Sequence, residues 1–118
     1  MCKLTAILFA AAFFASETFG APRAESAEEC GIAADMAVVA QSLAREDIHR
    51  PKAAAIMMRI YDVAQSVRGT ELMKAILDAA YTRNAALGDA TAQKFAEELF
   101  VACMKSGGDM DAILGRRL

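Results

Sequence analysis

The sequence predicts an all-α protein, a four-helix up-down-up-down bundle stapled by one disulfide and preceded by a cleaved export signal. Three observations carry this. Apolar residues recur at helical spacing from Ser26 to Ser106, with no strand-like alternation. The chain opens with a lysine followed by an apolar run and small residues, the order an export signal requires. Two cysteines remain after that signal, and the bundle topology brings them to the same end.

The chain has 118 residues, enough for one domain. Met1-Cys2-Lys3 forms a short basic start, and Leu4 to Ala15 is an unbroken apolar run except for Thr5. As a helix that run spans about 18 Å, short of a bilayer core of about 30 Å, so the reading is a cleaved signal and not an anchor. Cleavage after Gly20 leaves small residues, Thr18 and Gly20, at the recognition positions. The organisation expected is a signal over 1–20, a linker over 21–25, a helical bundle over 26–106 and a tail over 107–118. The product is expected in the periplasm or secreted, without membrane attachment.

In the first helix, Ser26-Ala27-Glu28-Glu29 has the spacing of a capping box. Ile32, Met36, Val39, Ala40 and Leu43 then form an apolar stripe, with Asp35, Gln41, Ser42 and Arg45 opposite. The polar segment Arg45–Arg50 ends at Pro51, a first-turn residue of the second helix. Its stripe is Ala53, Ile56, Ile60, Val63 and Val67, and Gly69 is the expected terminator. Thr70 is the expected cap of the third helix, which buries Leu72, Met73, Ile76, Ala79 and Ala80 and turns Glu71, Lys74, Asp78 and Thr82 to water. Asp89 or Thr91 caps the fourth helix. Phe95, Ala96, Leu99, Phe100 and Cys103 face inward there, and Gly107-Gly108 stops it. Ile113 and Leu114 are candidates to tuck a short final turn against the bundle.

Cys30 lies in the opening turn of the first helix and Cys103 in the closing turn of the fourth. Neighbouring antiparallel helices place those turns side by side, and an exported protein meets an oxidising compartment, so a structural disulfide follows. A redox-active dithiol usually has its cysteines close in sequence, as in C-x-x-C, and these are far apart.

Without the signal, 12 basic groups face 14 acidic ones, a balance that excludes a strongly basic nucleic-acid binder. Catalytic equipment is sparse. His49 is the lone histidine, set in a charged loop, and the serines fall in caps or on polar faces, with no nucleophile elbow. One histidine and two paired thiols do not make a zinc site, so no metal or cofactor is expected. Seven methionines invite a thought of Cu(I), but Met36, Met57 and Met73 fall on or beside the apolar stripes; Met58 alone projects toward the polar side. Arg83 falls near the apolar stripe of the third helix, either as an anchor for an anion or as a helix-end cation laying its stem on apolar surface.

The signal, the early Glu29-Cys30, the Ala-rich helices and the late Phe100-Val101-Ala102-Cys103-Met104 together resemble small exported helical proteins of Gram-negative bacteria, many of unknown function. The resemblance implies a periplasmic helical domain with one disulfide and no transferable site. Helical immunity proteins against peptidoglycan-degrading effectors and periplasmic acid-stress chaperones look similar in size and cysteine content, but the distinctive sequence patterns of both are missing. The expected function is non-enzymatic binding of a protein partner whose identity the sequence leaves open. Two alternatives stand beside it: a small-ligand or Cu(I) carrier using Met58, His49 or Arg83, and an immunity protein or inhibitor against a periplasmic effector.

Overall fold

A computed structural model describes residues 23–62, 66–87 and 91–115, the side chain of Leu87 excepted. The signal expected over 1–20 therefore lies outside the described residues, as do Val63 and Asp89. Among the described residues five helices occur: α1 (Ala27–Arg45), α2 (Arg50–Tyr61), α3 (Val67–Leu87), α4 (Ala92–Lys105) and the single turn α5 (Asp111–Leu114). There is no strand among the described residues.

α1 is the hub. It packs most extensively on α4, then on α3, and also touches α2. Three contacts give its direction against α3: Glu29 meets Arg68, Gln41 meets Ala80, and Ala44 meets Asn84. The numbers rise together, so these two helices run parallel. Cys30 and Cys103 lie at disulfide distance, with sulfurs 2.02 Å and Cα atoms 5.7 Å apart. The core joins Met36, Met57, Leu72, Met73, Ile76, Leu77, Phe95 and Leu99 over a bed of buried alanines.

Local signals place most helix starts where expected. Ser26 Oγ accepts the N–H of Glu29, and Thr91 Oγ1 accepts the N–H of Lys94, each at 3.2 Å. The capping box is displaced by one residue on its return side, because the Glu29 carboxylate accepts from Glu25 N–H and not from Ser26. Pro51 occupies the first turn of α2.

The α2–α3 boundary differs from expectation. α2 stops at Tyr61, where Asp62 adopts a left-handed conformation with φ 50°, a state a short polar side chain tolerates. Gly69 is not a terminator. It lies in the first turn of α3, and its N–H donates to Ser66 Oγ at 3.0 Å, so Ser66 takes the capping role expected of Thr70. Val67 consequently belongs to α3 and is almost fully exposed.

The width of each buried face follows from how many neighbours a helix has. α1 touches three others, so Gln41, expected on the wet side, is fully buried and its Nε2 donates to the Ala80 carbonyl at 3.1 Å. α3 touches α1, α2 and α5, and buries Ala75 and Leu77 beyond its expected stripe. α4 packs mainly on α1 and α5. Its buried strip narrows to Phe95, Leu99 and Cys103, and Phe100, expected inside, is 39% exposed. Ile32 and Ile60 also leave their expected stripes for the surface.

The segment before α1 meets the segment after α4. Ala24 N–H donates to the Gly108 carbonyl at 2.9 Å, and both residues are buried. Gly108 has φ +98°, and a Cβ there would sit 2.0 Å from the Ala24 oxygen, so only glycine fits. Met110 is buried, and Ile113 and Leu114 pack on the core. Residues 24, 108 and 110 therefore pack with the helices. The reason is positional: the Cys30–Cys103 contact brings both flanking segments to one spot.

Candidate functional site

Arg83, His49 and Met58 occupy separate local settings. Arg83 is half-buried, with Nη1 3.1 Å from Glu98 Oε1 and its guanidinium 4.7 Å from the centre of the Phe95 ring. Its anionic partner is thus supplied by α4, and Glu98 is not a merely solvated charge. His49 is exposed at the residue before α2 and makes no capping hydrogen bond with its side chain. Met58, expected to project toward the polar side, is partly buried against the core. Met36, Met57, Met73 and Met110 are buried in the one apolar core, where a thioether fills space. Among the described residues no group of three or more His, Cys, Asp or Glu is placed to hold a metal ion.

A concave feature that unites apolar and charged lining lies elsewhere, between the first half of α1, the last turn of α2 and the first turns of α3. It is an open cleft of about 600 Å³. Ile32, Met36, Ile60 and Leu72 form its apolar floor, and Glu28, Glu29, Asp35, Tyr61 and Arg68 supply its polar rim. Each wall follows from a local decision of the chain. The Ser26 cap fixes where α1 begins, and so sets Glu28, Ile32 and Asp35 on one stripe at i, i+4 and i+7. The left-handed Asp62 ends α2 directly after Ile60 and Tyr61, so both line the cleft from the last turn of α2. The Ser66 cap puts Arg68 in the opening turn of α3.

Arg68 would be poorly placed there alone, since a helix N-terminus repels cations. Glu29 offsets this with a bidentate contact: Nη1 to Oε1 at 3.0 Å and Nη2 to Oε2 at 2.9 Å. Arg68 Nη1 also donates to the Arg23 carbonyl at 2.9 Å, and Glu25 lies 3.5 Å away. The hydrogen bond from Arg68 is the main cause holding the Glu29 carboxyl below the usual carboxylate range, followed by the bond from Glu25 N–H. Across the cleft, the Tyr61 hydroxyl donates to Asp35 Oδ2 at 2.5 Å. Burial first, and then that hydrogen bond, push the Tyr61 phenol above its ordinary value.

A second cluster stands at the far end of α2. Arg50 pairs with Asp78 and lies over the Tyr81 ring, and the Tyr81 hydroxyl donates to the Ile48 carbonyl at 2.5 Å. Asn84 Nδ2 donates to the Ala44 carbonyl at 3.2 Å, satisfying an acceptor in the last turn of α1. These bonds seat the α1–α2 loop, and beside them Arg50, Asp78, Tyr81, Thr82, Ala85 and Ala86 line a second, more open groove of about 610 Å³.

Sequence reasoning missed the cleft because its floor residues were assigned to the core. Ile32 and Ile60 keep helical spacing, and periodicity alone does not say which apolar residue lacks a neighbour. The stripe Glu28–Ile32–Asp35 was the available signal: one apolar residue flanked by carboxylates on the same face. No protein-family model, no curated protein and no solved structure matches the chain.

Proposed function

We propose that this chain is an exported, non-enzymatic protein-binding module. Residues 1–20 act as its cleaved signal, and the exported part is an up-down-up-down bundle stapled by a Cys30–Cys103 disulfide. The cleft between α1, α2 and α3 is its docking site. The lysine-led apolar start and the cysteine pair support export. Among the described residues, no helix is long and apolar enough to cross a membrane.

One observation carries the docking reading: Ile32 and Ile60 are 43% and 55% exposed and line one cleft together with the buried Met36 and Leu72. Covering both isoleucines would contribute about 2 kcal/mol, at roughly 25 cal/mol per Å² of apolar surface. The test is affinity capture from a native periplasmic extract with the oxidised, processed protein and its Ile60→Glu variant as parallel baits. A defined protein retained by the first and lost by the second is the expected result. Equal recovery on both baits removes the cleft as the docking site. Mass spectrometry of the exported bait checks the rest: the reading expects a chain starting at Ala21 and two hydrogens lighter than the dithiol.

A further inference from the structure

The cleft carries a charge pattern that an apolar docking floor does not require. Glu28, Glu29 and Asp35 line it, against Arg68 as the one cationic lining residue among those described. Arg68 is spent within the molecule on Glu29, Glu25 and the Arg23 carbonyl, so no guanidinium is left to meet an incoming anion. Asp35 accepts its hydrogen bond from a neutral phenol and keeps its whole charge. Glu28 is exposed and has no partner among the described residues. The surface an approaching ligand meets is therefore apolar at the base and negative at the edge.

The spacing adds geometry to the charge. Glu28 and Asp35 stand seven residues apart on α1, about 10.5 Å along the axis, with Ile32 between them on the same stripe. The complement of that stripe is a helix with basic residues seven apart and an apolar residue three or four from each. Lysine and arginine suit such a site doubly, because their stems lie on apolar surface while the charged head reaches the rim. The cleft is open, whereas small-molecule sites enclose most of their ligand. A helix laid in a groove is the recognition mode that fits an open floor.

We infer, resting on the reading of this cleft as a docking site, that its occupant is a basic amphipathic helical segment of a partner protein. That segment sets apolar side chains on Ile32 and Ile60 and basic ones against Glu28 and Asp35. An acidic segment of the same hydrophobicity is repelled by the same carboxylates.

Fluorescence anisotropy with the oxidised, processed protein tests this. The probe is a labelled fourteen-residue peptide of Ala, Leu and Lys, with lysines seven apart and leucine between. Its twins carry Glu in place of Lys, or Ser in place of Leu. Binding at least tenfold tighter than either twin is expected. The Glu28→Gln/Asp35→Asn double variant keeps an acceptor for Tyr61 and should weaken the basic peptide about tenfold. A charge-matched double change outside the cleft, Glu46→Gln/Glu97→Gln, should alter it less than twofold. Equal weakening by both double variants, or equal binding of the acidic twin, overturns the inference. Displacement of the peptide by an equimolar amount of octylamine also overturns it, in favour of a small amine. Sedimentation showing a dimer that Ile60→Glu dissociates would overturn it in favour of a second copy of the chain. If Ile60→Glu abolishes protein capture while the basic peptide fails to bind, this inference falls and the docking site stands.

Discussion

α4 and α2 both lean on α1, but different physics holds them there. α4 buries Phe95, Leu99 and Cys103 completely and is tied to α1 by the Cys30–Cys103 contact. α2 fully buries only Ala53 and Met57. Polar contacts near its two ends supply much of the rest: Arg50 to Asp78 at the start and Tyr61 to Asp35 at the finish. Apolar burial and a covalent bond respond weakly to salt and pH, whereas exposed polar tethers respond to both. The wall of the molecule that borders the cleft is thus also the wall held least firmly. The α1–α4 pair has the deeper packing, and α2 rests on it with the smaller buried face.

The largest expected effect bears on the firm side. The proposed disulfide closes a separation of 73 residues, for which chain-entropy reasoning gives about 4 kcal/mol. Urea denaturation of the oxidised protein against its Cys30→Ser/Cys103→Ser variant should show a loss of that order. A loss below about 1 kcal/mol would mean that the α1–α4 seam owes its firmness to packing alone.

Adjacent residues of α4 sharpen the same point. Leu99 is fully buried and Phe100 is 39% exposed, although both were expected inside. Leu99→Ala should cost about 3 kcal/mol, within the range for a buried leucine, and Phe100→Ala about 1 kcal/mol. Equal costs from urea melts would show that a further surface covers Phe100 in solution.

On the α2 side the effects are smaller and local. Tyr61→Phe removes one hydrogen bond to a half-exposed carboxylate, worth about 1 kcal/mol. Hydrogen exchange should then speed up in α2 while the amides of α4 keep their protection. Uniform acceleration through both helices would break the comparison, because it would place α2 in the same cooperative unit as the seam.

The sequence made the helical class, the helix starts at Ser26 and Thr91 and the Cys30–Cys103 pairing legible, because caps and cysteine positions are local or topological signals. Ile32 and Ile60 were misplaced because periodicity does not tell which apolar residue lacks a neighbour, and Gln41 and Phe100 for another reason. The width of a buried face depends on how many helices surround it, and α1 has three neighbours while α4 packs mainly on two. The α2–α3 boundary was misread because a glycine outranked a serine as punctuation, although Ser66 has a donor to satisfy and Gly69 supplies it. The rim of the cleft was hidden for another reason. Arg68 and Glu29 are distant in sequence and meet only when α1 and α3 run side by side in parallel.

That pair gives the smallest and most specific expectation. Glu29 has a carboxyl held below its usual range of about 4.5 by the Arg68 hydrogen bond, so its ionised form is favoured in the folded chain. A depressed folded value contributes stability that is present above the unfolded value and is lost as pH falls through the folded one. The pair is partly exposed, so solvent screening keeps the contribution near 0.5 kcal/mol. Glu29→Gln retains one oxygen, for Glu25 N–H, and removes the charge together with one of the two oxygens that accept from Arg68. Urea melts from pH 6 down to pH 3 should show the variant slightly less stable at the upper end, with the gap closing at the lower. A gap that stays constant with pH would mean that the carboxylate positions Arg68 through geometry without its charge contributing. The α3 wall of the cleft would then be as insensitive to pH as the α1–α4 seam.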